Sequence, residues 1–391
     1  MRLYLLFLPI LLWSDSSIYS ALKGGRVEGE AKLFSYDIDK PSPNNAYANA
    51  IGGYIKYRTD TTMPIYGAIR IDTSLPIGGR TNPEKTALFN NDKDASGLMV
   101  NSEAYLALNG SNRVLKVGNL RLNTPMMNDD TTRIVPWSYR GVAYTGEAVE
   151  DFKLQLLHII DIRSHTSHKY TKESASGDIG DGVSMVGLHY SGIDDLDMHG
   201  YYYYAPDLYS TIVLQADYRY NVDDDTLLCA SLQYFGSGNG GRYVTTDNKN
   251  GGDDIDLVAI RVGYMDEDLS ISLNYSQNFG ISGIIKGYGG LAKVHTTSMI
   301  ANGRGNYKPT TWMVKMLYDL PPTPIGKSEL GFNYTVTRVD DPRGSEFDAY
   351  YLHLRHEFDK HNSIFIRYES FDYLDDREDE SYFRVIASYR Y

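Results

Sequence analysis

Basic side chains recur on alternate positions of this chain, opposite faces that are apolar or aromatic. In SYFRVIASYRY (381–391), Phe383, Val385, Ala387, Tyr389 and Tyr391 share one face. Arg384 and Arg390 lie on the other, with Tyr382, Ile386 and Ser388. Guanidinium groups fixed along a surface in this way recognise carboxylates and phosphates; they do not break bonds by themselves. The groups that would do so are not assembled. Of nine histidines none lies in a G-x-S-x-G or comparable setting, so nucleophile, base and orienting group have no common anchor. HTSH (165–168) offers two imidazoles without a third ligand, and a solvated loop is expected there. FGSGNGGRYV (235–244) has glycines spaced faintly like a phosphate loop, but strands flank it where a helix is needed. The acidic DDRED (375–379) and Asp253-Asp254 read as solvated surface. No cofactor or metal is implied. With a net charge of −12 and no basic run, neither is nucleic acid.

The elements that must carry these arginines are strands. Period-two alternation runs through almost the whole chain, and helical periodicity is nearly absent. Eighteen segments can be counted, from 26–36, 47–59 and 64–74 to 347–358, 361–372 and 380–391. Most have the nine to eleven or so residues of a tilted membrane strand. Their connections alternate in length. NGSN (109–112), GIDD (192–195), VDDD (222–225) and DKHN (359–362) are tight turns, whereas 75–97, 122–138, 164–181, 237–252 and 279–309 are long. An even strand count with short turns at one end and long loops at the other predicts an all-β transmembrane antiparallel barrel. The long loops would be extracellular and the short turns periplasmic, and a barrel of this size encloses an aqueous lumen. The 34 tyrosines against 12 phenylalanines fit side chains with one apolar and one wet end.

MRLYLLFLPILLW followed by SDSSIYSA reads as a secretory signal peptide, residues 1–21, with cleavage after Ser20 or Ala21. Residues 22–391 then form one barrel domain, without an internal linker. The single Cys229 excludes an intramolecular disulfide framework.

Facing follows from cost, because an arginine against lipid at mid-bilayer costs about 2–4 kcal/mol. The charged set is therefore expected inside: Lys56, Arg58, Arg70, Arg163, Arg219, Arg261, Lys315, Arg355, Arg367, Arg384 and Arg390. Inward acids are fewer, among them Glu28, Glu30, Asp72, Glu103, Asp161, Asp217, Glu357 and Glu369. A wall biased to one sign concentrates counter-ions, which favours anionic solutes. An unselective aqueous pore, charged only for solvation, is the competing expectation.

At 117–140 the chain becomes more specific. Gly118, Arg121-Leu122-Asn123-Thr124-Pro125, Asp130, Arg133 and Pro136 resemble the G-R-Q-x-L-x-T-P … D-x-R-x-x-P stretch of the OprD family of outer-membrane porins. GGRVEGEAKLFSYDID, AIGGYIKYRTD (50–60) and NSEAYLALNG (101–110) resemble that family's first, second and fourth strands. The resemblance implies a monomeric eighteen-stranded channel for small water-soluble, often carboxylate-containing molecules. It also implies a third loop folded into the lumen and an arginine ladder on the wall. By that resemblance Arg121, Asn123, Asp130, Arg133 and Arg140 would belong to the constriction. Asn119 and Trp137-Ser138-Tyr139-Arg140 depart from the family pattern.

The implied surroundings are outer-membrane lipid and lipopolysaccharide, small solutes, and the barrel assembly machinery engaging the last strand at Tyr391. A non-channel structural or adhesive barrel is the alternative in another class; a lipid-hydrolysing barrel lacks its catalytic groups. The loop 279–309, glycine-rich and partly apolar, is expected to fold back into the barrel or plug it.

Overall fold

The computed structural model describes residues 20, 22–92, 94–206, 208–238, 255–280, 287–301, 308–340 and 344–391. The expected leader lies outside the described residues apart from Ser20, as do the glycine-rich stretch beyond 238 and Asp253-Asp254.

Eighteen strands form the barrel. They are β1 Arg26–Asp39, β2 Ala46–Arg58, β3 Ile65–Thr81, β4 Leu98–Gly110, β5 Arg113–Leu120 and β6 Ser138–Val149. Next come β7 Phe152–Arg163, β8 Val183–Ile193, β9 Leu196–Tyr204, β10 Ser210–Asn221, β11 Leu227–Gly238 and β12 Ile255–Met265. The last six are β13 Leu269–Asn278, β14 Pro309–Thr323, β15 Gly326–Val339, β16 Phe347–Glu357, β17 Asn362–Tyr373 and β18 Glu380–Arg390. Each pairs antiparallel with its sequence neighbours, and β1 pairs with β18 (Leu33 opposite Ala387), so the sheet closes on itself and has no edge. The strand count and the alternation of short and long connections agree with the sequence. The third strand runs to Thr81, beyond the expected 74, because Leu75 and Ile77 continue the outward apolar alternation.

Leu33, Ile51, Ile69, Leu106, Leu188, Leu214, Ile260, Leu352 and Phe383 are exposed on the outer surface. An apolar band of this extent is a liability in water and a requirement in a bilayer. No helix among the described residues is long and apolar enough to cross a membrane; strands do the crossing.

The inner face is partly covered by loops carrying their own apolar residues. Met126, Met127, Tyr288 and Val294 pack with wall residues Tyr139, Tyr203, Tyr209 and Phe235. On the other side Leu88, Phe89, Ile134 and Met299 pack with Tyr36, Phe347, Phe371 and Tyr382. Burying each of these large side chains contributes about 1.5–3 kcal/mol, which is what holds loops inside a wet lumen.

Candidate pore constriction

The loop after β5 turns inward because β5 stops early. Its pairing with β4 ends at Asn119 opposite Ala104, and β6 resumes only at Ser138. Gly118 has φ +138°, and a Cβ there would lie 2.2 Å from the Ala104 carbonyl oxygen, so only glycine fits this departure point. Beyond it Arg121 is ion-paired with Asp129. The turn 124–127 closes on itself, with the Thr124 amide and hydroxyl both donating to the Met127 carbonyl at 2.8 Å.

Two side chains from outside the loop fix its return arm. Tyr139 Oη donates to the Asn128 carbonyl at 2.7 Å. His165 meets the Val135 carbonyl through Nδ1 (2.6 Å) and the Asp130 carboxylate through Nε2 (3.1 Å). Burial alone would raise the Asp130 carboxyl, but hydrogen bonds from His165 and Thr132 hold it well below the usual carboxylate range. Arg133 then donates through Nε to the Thr86 carbonyl at 2.9 Å, with its guanidinium 5.1 Å from the Tyr36 ring centre.

A second loop completes the constriction. Residues 287–301 run along the inner wall from Tyr209 to Glu369 and are latched to the first loop. The Tyr288 amide donates to Met126 (2.9 Å) and the Asn128 amide to Gly289 (3.3 Å). Buried Asn128 also donates through Nδ2 to the Leu291 carbonyl (2.7 Å) and accepts from the Leu291 amide (3.1 Å). Gly290 has φ +77°, and a Cβ there would come within 2.3 Å of the Asn128 carbonyl oxygen, so the latch depends on that glycine. Lys293 bonds Asn123 across the two loops. Further along, His295 bonds Ser231 (2.7 Å), Thr296 bonds Ser276 (2.7 Å), and Glu369 accepts the amides of Ile300 and Ala301. Burial, and then the charge of Arg261, push the His295 imidazole down to about 4.

The basic wall is unevenly compensated. Lys56 is paired with Glu103, Arg58 with Glu28, Arg70 with Asp72, Arg219 with Asp197, Arg261 with Asp217 and Arg390 with Glu30. Among the described residues, Arg133, Lys315, Arg355, Arg367 and Arg384 have no carboxylate within ion-pair distance. Arg367 and Arg384 stand directly opposite each other on β17 and β18, and Tyr36 stands opposite Arg384 on β1. Like charges so placed repel and destabilise the sheet, so stability does not account for them. Arg384 is 1% exposed, its Nη2 donates to Tyr36 Oη at 2.8 Å, and its Nε and Nη1 have no partner. Tyr36 thus carries a guanidinium from the wall and another from the loop. It opens onto a cavity of about 620 Å³ at the long-loop end, lined by the bases Lys40, Lys85, Arg133 and Arg377 and by the acids Glu378 and Glu380.

Residues 63–326 match the family described as outer membrane porin, OprD family. This chain belongs to the OprD family. The match spans more than half of its length. Known channel structures superpose on the barrel. Acinetobacter baumannii OccAB4 is 15% identical, with a TM-score of 0.80 over 94% of this chain and 98% of that one. A. baumannii OccAB1 is 14% identical, with a TM-score of 0.81 over 95% and 97%. Pseudomonas aeruginosa OpdK, crystallised with vanillate, is 16% identical, with a TM-score of 0.79 over 95% and 99%. A search of curated protein sequences gives no match. The protein is therefore an outer-membrane porin, a channel and not an enzyme, with small solutes as its cargo.

Within this OprD-family porin, Arg121, Asn123, Asp130 and Arg133 all lie in the inward loop. Lys56, Arg58, Arg70, Arg219, Arg261, Lys315, Arg355, Arg367, Arg384 and Arg390 alternate with outward apolar neighbours such as Ile55, Ile69, Tyr218, Ile260 and Val314, and so face the lumen. Arg140 is the correction. It pairs in register with Asn119, on the same face as the exposed pair Val117 and Val142, and this is the outer face. Arg163 and Asp161, expected inside, also leave the lumen. A bulge between β6 and β7 at Arg140/Gly141 puts Asp161 beside Arg140. Arg163 is buried in the wall, bonded to Ser138 Oγ and the Pro136 carbonyl.

His165, read as part of a solvated loop, is instead a clamp on the constriction. Nothing in its local sequence signals this, because its partners are 30 and 35 residues away. Arg140 was legible: counting back by two from Val142 reaches it on the lipid-facing parity.

Proposed function

We propose that this porin passes small anionic solutes, carboxylates foremost, by diffusion through the opening between the two latched loops. The observation that carries the reading is the uncompensated group Arg133, Arg367 and Arg384 around Tyr36. A carboxylate arriving there meets the guanidinium donors of Arg133 and Arg367, with buried Arg384 adding positive potential, while the nearby Glu380 is already held by Lys40 and Tyr382. The exposed mouth keeps the attraction weak enough for release. The relative crystallised with vanillate, itself a carboxylate, supports the reading. Lys293, Asn123, Arg121 and Asp130 shape the opening, and the paired bases lower on the wall supply solvation more than selectivity. We further propose that the porin acts as a monomer, that residues 1–21 are an export leader, and that the strand ending at Tyr391 engages the barrel assembly machinery.

Liposome swelling tests this. Benzoate and gluconate should enter porin-containing vesicles faster than neutral solutes of the same size, and equal rates would favour the unselective pore instead.

A further inference from the structure

The outer wall carries a charged patch that the channel does not use. Where the first inward loop leaves the sheet, β4 residues 98–103 lose their β5 partner, and the gap is filled from the 164–181 loop. Tyr170 Oη donates to the Asn101 carbonyl at 3.2 Å and pairs with the Ser138 hydroxyl at 3.0 Å, closing the wall. Over this plug Arg140 lies with its guanidinium 4.5 Å from the Tyr170 ring centre. It donates to Asn119 Oδ1 (3.2 Å) and to Asp161 (3.1 Å), leaving its other Nη outward with the side chain 44% exposed. Lys172, 43% exposed, donates to the Ile160 carbonyl at 2.6 Å and lies 3.8 Å from the same Asp161. Behind them Arg163 donates only to neutral oxygens, those of Pro136, Ser138, Ser164 and Ser167. Two cations, Arg140 and Lys172, therefore share one carboxylate, with Arg163 behind them paired to none, and Glu173 is the only further acid adjacent in sequence.

Height fixes what this patch meets. The outward side of β7 starts at Phe152, whose ring packs 4.5 Å from Tyr190 near the short-turn end. Eight residues on, at a strand tilt near 40°, Ile160 stands about 20 Å higher, close to the top of an apolar band roughly 25 Å tall. At mid-bilayer an outward arginine would be strongly disfavoured, whereas at the upper margin it is tolerated and faces headgroups.

We propose that Arg140 and Lys172 form a docking site for a phosphate of a phosphorylated glycolipid in the outer leaflet. Arg140, stacked on Tyr170 and anchored by Asn119, presents its outward N–H groups to the phosphate, and Lys172 supplies a second donor beside it. Arg163 adds positive potential from behind. The two acyl-facing flanks are Val117 and Val142 on one side and Ile160 on the other, all exposed. The site is independent of the carboxylate reading of the pore, and either can fail alone.

Native mass spectrometry of the full chain in nanodiscs tests it, with bisphosphorylated lipid A and its dephosphorylated form as probes. The unaltered porin should retain the bisphosphorylated probe. Arg140→Gln and Lys172→Gln should each weaken retention roughly tenfold, as expected for the loss of one charge-assisted hydrogen bond. Single-channel conductance should not change. Should Arg140→Gln fold poorly, Lys172→Gln removes the charge of a half-exposed side chain whose new amide can still donate to the Ile160 carbonyl, and carries the test by itself. Equal retention of the dephosphorylated probe would overturn the proposal, as would undiminished retention by the double variant. So would equal binding of inorganic phosphate without acyl chains.

Discussion

Arg133 and Arg140 belong to one polar stretch of sequence, yet they end on opposite sides of the barrel wall. Arg133 reaches the Tyr36 ring inside, while Arg140 lies over the Tyr170 ring outside. Both are arginines on a tyrosine face, and both sit near the long-loop end. The difference is register. Arg133 belongs to a loop whose direction is set by buried Met126, Met127 and Ile134, whereas Arg140 obeys strand parity with Val142. Polar residues near a constriction motif therefore acquire a pore role only if packing carries them inward.

The largest expected effect lies on the inner side. Asn128→Leu removes both side-chain bonds to Leu291 and leaves a half-buried carbonyl and amide without partners, each costing up to about 1–3 kcal/mol. The latch between the loops should open, giving a larger and noisier conductance and new protease cleavage within 287–301. Unchanged currents would mean that the second loop is held by the wall alone. Next come Arg133→Ala and Arg384→Ala, which should lower the anion-to-cation permeability ratio, on the order of twofold each, by removing uncompensated charge from the constriction.

A smaller effect follows from pH. His295 titrates near 4 when seated and near its ordinary value of about 6.5 when released, so protons favour the released segment. The seated state has its full advantage above about pH 6.5 and loses it as the pH falls towards 4. Arg261 and Asp217 are the charged groups acting on it, and Arg261 opposes protonation. Gating noise should therefore rise over that window, and His295→Gln should flatten the profile. Smallest of all, Arg140→Ala should leave conductance and selectivity unchanged; a shift comparable to that of Arg133→Ala would place it in the pore and erase the contrast drawn above.

Much of this architecture could be read from alternation. Strand number, closure and the inward ladder follow from period two, because a strand buried in lipid on one face and water on the other must alternate. The constriction was legible in part: Pro125, Asp130 and Arg133 mark a stiff, polar loop. What alternation could not supply was long-range packing. The clamp by His165, the latch between Asn128 and Leu291, and the seating of Ile300 and Ala301 by Glu369 join residues between 30 and 163 positions apart. Nor could it foretell that six of the luminal bases are neutralised by acids on the same wall, while Arg133, Arg367 and Arg384 gather unpaired around Tyr36.

The most direct test of that last point is the reversal potential of single channels in a planar bilayer under a potassium chloride gradient, for the unaltered porin and for Arg133→Ala/Arg384→Ala. Anion preference, largely lost in the double variant, is the predicted result. Cation preference in the unaltered porin, or an anion preference indifferent to both substitutions, would contradict it.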